Sequence, residues 1–404
     1  MVLHIVGAGP SGVTVAWYMA KRGEKVHLWE KRDLPGGSWW TPNHSEDADR
    51  HAARVLFRDC QPNWFNLLSE MGLDYNTYYK PDKDVVPDSI VAMTRSLTLR
   101  DHLITVGVLL CAGVNHDWAK TTVLDDALKS KMSPKGMSFI NALTTSVDGV
   151  RADKMTVWEL AESMNRTILS GAWTERVQGR KLGEDLARRL RMVGVKLHMG
   201  AELLDVEPPN VTFGGDRTVT LGDADKVVLC LDPSAALQYV DKFWDSTVDN
   251  VLYGTRSFLF KYPKRFKLPS AQESLMRSNN AFIPSWVPGE GETTTLHVAD
   301  YKGEWKTMEQ CVKTLGIPKP LGWRECEDTQ DMSSAAWTSH SIPTQSNHRQ
   351  VHMVGMLSPR DTPYASVEAA AEVAIRWCGE RPLEPVKSST IALILFTISL
   401  LTVV

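Results

Sequence analysis

The chain opens with Leu3-His-Ile-Val6 running into Gly7-Ala-Gly9-Pro10-Ser11-Gly12, and eighteen residues after that last glycine Val26-His-Leu-Trp29 ends in Glu30. An apolar run short enough to be a buried strand meets a glycine turn. Residues from Ser11 to Arg22 then read as a helix whose N-terminus faces the turn. Gly7 permits the tight turn, Gly9 lets the backbone approach a pyrophosphate, and Gly12 lets helix and strand pack closely. The free N–H groups and dipole of such a helix end bind phosphate charge. Glu30, at the tip of the second strand, is placed to accept hydrogen bonds from a ribose diol and disfavours a 2′-phosphate. Glycines at this spacing also occur in ordinary strand-to-helix turns; the acid at the end of the second strand is what favours a dinucleotide.

The next residues bear on which dinucleotide. Glu30-Lys31-Arg32-Asp-Leu-Pro-Gly36-Gly37-Ser38 resembles the second signature of the flavin-containing amine oxidase and carotenoid desaturase superfamily, where the acid is followed six residues later by a glycine pair. The resemblance implies that FAD is the cofactor, that Arg32 contacts its phosphates, and that Lys31, Gly36 and Gly37 border it. Family members commonly carry an arginine directly after the glycine pair. Here Ser38 stands there, which leaves that contact open, with Trp39 and Trp40 as candidates to shape that side.

A third block lies far along the chain. Val351-His-Met-Val-Gly355 reads as a strand ending in glycine, followed by Thr362-Pro-Tyr-Ala-Ser366-Val367-Glu-Ala-Ala-Ala371. It is similar to the family's closing FAD motif, in which the backbone amides at a helix start meet the pyrimidine edge of the flavin. Such a helix end stabilises negative charge on a reduced ring. Met356 and Ala369 stand where the family often has an acid and a glycine, and by themselves Ser366 to Trp377 also read as an ordinary amphipathic helix. Between these ends, the resemblance gives Leu203, in a strand expected over 194–206, the part of packing against the adenine. The apolar run Val227 to Leu231 suits a parallel strand covered on both faces.

The fold class that follows is α/β, a Rossmann-like FAD-binding domain interleaved with an α+β substrate domain. The expected division is 1–58, 195–238 and 348–380 for the FAD-binding domain, and 59–194 with 239–347 for the substrate domain. Residues from about 55 to 180 read as mostly helical, with a capping box at Thr156-Val-Trp-Glu159, and strands are expected from Tyr253 onward. At 404 residues and 43% hydrophobic, the chain is long enough for two substantial cores. A net charge of −3 gives no case for nucleic acid. No two of its six cysteines lie at C-x-x-C spacing, so neither a zinc site nor a redox dithiol is expected, and FAD is expected to be held noncovalently.

The chain begins directly with the first strand, so no signal peptide is expected. The uncharged run Ile391 to Val404, after Arg376, Arg381 and Lys387, marks 388–404 as a candidate membrane tail. Its flanking cations would leave the protein on the cytoplasmic side of a membrane, and without an anchor it is expected in the cytoplasm. In enzymes of this kind the flavin takes hydride from a C–N or C–C bond and passes electrons to an acceptor such as dioxygen. Lys261, Lys302 and Lys306 are candidates for a residue near the ring, with Trp305 or Trp337 for a substrate wall; no catalytic side chain stands out. Three functional classes stay open: an oxidoreductase acting on an amine or lipophilic small molecule, a non-redox flavoenzyme such as a UDP-sugar mutase, and a noncatalytic FAD-binding protein.

Overall fold

A computed structural model describes residues 1–39, 55–83, 85–167, 170–177, 179–244, 256–287, 294–300, 307–325, 341–364 and 366–386. At its centre is a five-stranded parallel sheet. Its strands lie in the order Val351–Met353, Lys226–Leu229, Val2–Val6, Lys25–Glu30 and Lys196–Met199. Ile5 sits opposite Leu28 on one side and Val228 on the other, and all three are fully buried. Unbroken apolar runs form strands here because both faces of the sheet are covered.

One face packs against the opening helix Pro10–Lys21, the closing helix Val367–Trp377 and the helices Pro62–Glu70 and Gly179–Met192. Trp64, Leu67 and Leu68 of one helix and Leu182, Leu186 and Leu190 of another share a core with Leu3, Val13 and Val373. Packing thus joins 62–70 and 179–192, which the sequence assigns to the substrate part, to the sheet that carries the glycine turn.

The opposite face is covered by the helix Pro233–Phe243 and an antiparallel meander of Leu203–Glu207, Asn210–Phe213 and Arg217–Thr220. Trp29 is stacked there between His198 and Phe213, with ring centroids 3.8 and 4.1 Å away. The single strand expected over 194–206 is two strands, because Gly200 at φ +65° turns the chain between them. Val206, Val211 and Phe213 are fully buried against the sheet.

A second sheet, antiparallel, has the order Phe282–Trp286, Thr294–Asp300, Arg256–Tyr262, Gly322–Glu325. The expected helical stretch contains six helices between Val85 and Thr167 with a core of their own around Leu109, Phe139, Ile140 and Leu160. The capping box is formed as read: Thr156 N–H donates to Glu159 Oε2 at 2.7 Å and Glu159 N–H to Thr156 Oγ1 at 3.2 Å. That stretch also contains a small antiparallel sheet of Val55–Phe57, Ala172–Glu175 and Tyr79–Asp82, too short to show a strand period. Among the described residues no helix is long and apolar enough to cross a membrane. The tail 388–404 lies outside the described residues, as do Trp40, Lys302, Trp305, Lys306 and Trp337.

Candidate functional site

In open parallel sheets, ligands bind beyond the carboxyl ends of the strands. Here that edge carries Gly7, Glu30, Cys230 and the stretch Val354-Gly355. The first turn is built from three glycines with different reasons to be glycine. Gly7 has φ +95°, and a Cβ there would lie 2.4 Å from the Cys230 carbonyl oxygen. At Gly12 a Cβ would lie 1.9 Å from the Gly7 carbonyl oxygen. Gly9 differs: its φ of −71° suits any residue, and the nearest atom to an added Cβ, the Gly37 Cα, is 3.7 Å away. Nothing inside the protein requires glycine at position 9, which is what a surface reserved for a ligand would show.

Pro10 occupies the first turn of the opening helix, where its missing N–H costs no hydrogen bond. The Ser11 and Gly12 N–H groups have no acceptor among the described residues, and no side chain caps this end. The Ser11 Oγ donates to the Ala370 carbonyl at 3.3 Å, so the first turn of the opening helix lies against the first turn of the closing one. There Ser366 is the N-cap, its Oγ accepting from Ala369 N–H at 3.2 Å. The Val367 and Glu368 N–H groups have no acceptor among the described residues either. Two helix N-termini with open donors are therefore brought together at one edge of the sheet, and their dipoles add a partial positive charge.

The acidic and basic residues of the second signature take defined places. Glu30 is buried, and its carboxylate accepts from Ala8 N–H at 2.7 Å and Arg32 N–H at 3.0 Å. A carboxylate has about four acceptor sites, so two remain for a ribose diol. Arg32 is half-buried and donates to the Gly37 carbonyl at 2.9 Å, while Lys31 is exposed. Gly36 N–H donates to the Ala8 carbonyl at 2.8 Å, which lays the glycine pair on the first turn. A Cβ on Gly37 would sit 2.8 Å from the Gly9 Cα. Ser38 continues the short turn Gly37–Trp39. Trp39 is buried in the core, edge-on to Tyr79 at 5.3 Å.

The remaining expected residues lie at the ends of the parallel strands and, for Lys261, on the antiparallel sheet. Ala201 N–H donates to the Glu30 carbonyl at 2.8 Å, which sets the start of the meander and half-buried Leu203 beyond the Glu30 strand. Gly355 N–H donates to Ser358 Oγ at 3.3 Å, and a Cβ there would meet only the Leu231 carbonyl oxygen at 3.5 Å. The Met356 carbonyl accepts from the Arg360 guanidinium. Lys261 is exposed on the antiparallel sheet.

Sequence reasoning missed the groups that fix the closing helix. Glu368, almost wholly buried, accepts from Asn63 Nδ2 at 2.6 Å, Trp64 N–H at 3.1 Å and Asn63 N–H at 3.2 Å. Burial pushes its carboxyl up to about 7, against the pull of those donors. Glu372 accepts from Asp361 N–H, Thr362 N–H and Thr362 Oγ1 at 2.6–2.9 Å. Buried Arg166 donates to the Asp361 carbonyl at 3.0 Å. The loop between Gly355 and the closing helix is thus tied on two sides. The sequence shows only two glutamates four residues apart on a helix, a spacing also found on solvated faces.

Residues 5–71 match the NAD(P)-binding Rossmann-like domain family. An oxidoreductase from Methanosarcina mazei superposes with a TM-score of 0.67 at 14% identity, covering 94% of this chain and 100% of that one. Putrescine oxidase bound to putrescine gives 0.59 at 15% identity, covering 94% and 98%. Cyclohexylamine oxidase from Brevibacterium oxydans gives 0.57 at 13%, covering 93% and 98%. The chain shares its fold with these oxidoreductases. Local sequence similarity also reaches the thiamine thiazole synthases. That of Thermotoga maritima is 56% identical over 88 residues, 21% of this chain and 30% of the relative. That of Thermococcus kodakarensis is 35% identical over 74 residues, 18% and 26%. The matched segments thus span under a third of those relatives' length.

Proposed function

We propose that this protein is an FAD-dependent oxidoreductase that removes hydride from a C–N or C–C bond of an amine or lipophilic small molecule, with dioxygen or another acceptor completing the cycle. One observation carries the reading: the open donors of Ser11 and Gly12 and those of Val367 and Glu368 lie together at the carboxyl edge of the parallel sheet, beside a glycine the protein itself does not need.

In this reading the Ser11 and Gly12 amides bind the diphosphate, with Arg32 and the Gly36-Gly37 turn closing over it. Glu30 accepts from the ribose hydroxyls, and Leu203 lies on the adenine. Val367 and Glu368 amides, with the dipole of their helix, hold the pyrimidine edge and stabilise negative charge there. When bound, FAD supplies the hydride acceptor at N5 of its ring. The proposal extends to location: residues 388–404 attach the protein to a membrane, leaving the catalytic part on the cytoplasmic side.

The test is anaerobic. Purified flavin-loaded protein is mixed with a panel of amines and of lipophilic C–C substrates, and absorbance near 450 nm is followed. Bleaching by one class identifies the substrate. Retained colour with every candidate, together with isomerisation of a UDP-sugar by the dithionite-reduced protein, would replace this reading with a non-redox mutase. Retained colour with neither activity would leave a noncatalytic FAD-binding protein.

A further inference from the structure

The helix Leu99–Val114 carries no charged residue from Leu103 to Val114, and it is apolar on both sides. Its inward side, with Val108, Leu109 and Ala112, is buried in the helical core. Its outward side is Leu99, Leu103, Leu110 and Val114, which are 63%, 57%, 38% and 87% exposed. At 100° per residue these four fall within a stripe about 60° wide. Exposed Gly107 lies beside it, with open space where a side chain would be. A surface helix of a globular protein ordinarily turns polar residues outward; one that is apolar all round faces something other than water.

Cations gather where the stripe begins. Arg95 and Arg100 are exposed at the start of the helix, and Lys135 Nζ donates to the Arg95 carbonyl at 2.7 Å, which brings a third positive charge to the same end. Arg95 pairs with half-buried Glu273 at 3.7 Å, a surface ion pair of small energetic worth. Asp101 is fully buried and turned inward to Ser133 and Thr98, so it does not offset this charge at the surface. The helix has 16 residues, about 24 Å at 1.5 Å per residue, too short to span a bilayer and suited to lying in its surface.

We propose that the outward face of Leu99–Val114 lies in the surface of an anionic lipid bilayer, with Leu99, Leu103, Leu110 and Val114 among the acyl chains and Arg95, Arg100 and Lys135 at the headgroups. Apolar surface supplies the attachment, and the cations at one end select negatively charged lipid. The second apolar run of the sequence, Ile391 to Val404, would give the same membrane a second hold. This inference does not depend on the cofactor.

The experiment uses the full chain with Cys326→Ser. Cys111, on the flank of the stripe, is then the exposed thiol, since Cys60, Cys230, Cys311 and Cys378 are buried. A fluorophore on Cys111 is mixed with phosphatidylcholine vesicles, with and without phosphatidylserine, carrying brominated acyl chains as quenchers. The expected result is quenching that is stronger with phosphatidylserine. Arg100→Gln should weaken the apparent affinity for the anionic vesicles about fivefold. Leu103→Asp with Leu110→Asp should abolish quenching while circular dichroism stays unchanged. The proposal is overturned if the label is not quenched, if the double variant is quenched equally, or if light scattering finds a dimer that the double variant splits.

Discussion

Replacing Gly9 by alanine separates a ligand cradle from a structural turn. The Gly9 backbone, at φ −71° and ψ −176°, is open to alanine, and the new Cβ finds its nearest neighbour 3.7 Å away. Alanine is a poorer N-cap than glycine by a few tenths to about 1 kcal/mol. Reduced freedom of the unfolded chain returns about 0.4–1 kcal/mol. The two effects offset, so the melting temperature should move by no more than about 4 °C. Gly12→Ala is the control, because its Cβ would sit 1.9 Å from the Gly7 carbonyl oxygen and the strand-helix contact must open. That variant should lose about 3 kcal/mol or more. For a bound diphosphate the order reverses in kind: the methyl at position 9 holds the phosphates off the Ser11 and Gly12 amides. Losing two charge-assisted hydrogen bonds costs about 3 kcal/mol, about a hundredfold in affinity. The assay is thermal unfolding of the apoprotein beside an FAD titration followed by flavin fluorescence. Gly9→Ala that keeps full flavin affinity, or that unfolds as Gly12→Ala does, would refute the cradle.

Other consequences follow from the closing helix, the buried histidines and the tail. Glu368→Ala leaves the Asn63 and Trp64 amides without an acceptor and should lower unfolding free energy by about 2–4 kcal/mol, read from urea titration. Burial holds His27 and His352 down to about 4 and lowers His4 and His198, so the unfolded chain takes up protons first as pH falls. Stability should therefore fall from about pH 6.5 toward pH 4, by about 1 kcal/mol for each well-buried ring after screening. Glu368 acts with the opposite sign: its carboxyl is raised to about 7, so its contribution is full in acid and is lost as pH rises through neutrality. With the opposing carboxyl removed by Glu368→Gln, a urea midpoint that stays flat between pH 7.5 and 5 contradicts the histidine account. Deleting 390–404 should move the protein from membrane to supernatant fractions with its flavin retained, and an unchanged distribution rejects the tail as an anchor.

The parallel sheet was legible because Val2–Val6 and Val351–Met353 are short apolar runs that lead into glycine turns at Gly7 and Gly355, and Lys25–Glu30 ends in its acid. The opening helix begins one residue earlier than read, at Pro10, which suits a helix start. The antiparallel pieces were harder. Tyr79–Asp82 is a four-residue strand containing a proline and a lysine, and it exists because Ala172–Glu175 pairs with it from far along the chain. Glycine conservation of space was readable at Gly7, Gly9 and Gly12 only as a pattern; which of them the protein needs for its own packing required the carbonyl positions of Gly7 and Cys230. The grip of Glu368 on Asn63 and Trp64 joins residues about three hundred apart, for which local sequence carries no signal.

The central claim is that the opening turn and the closing helix hold one flavin dinucleotide between them. A crystal structure of the yellow protein tests it directly. The account predicts diphosphate oxygens within hydrogen-bond distance of the Ser11 and Gly12 amides and the pyrimidine edge of the same molecule at the Val367 and Glu368 amides. A nicotinamide dinucleotide at that edge of the sheet, or a flavin bound away from the closing helix, contradicts it.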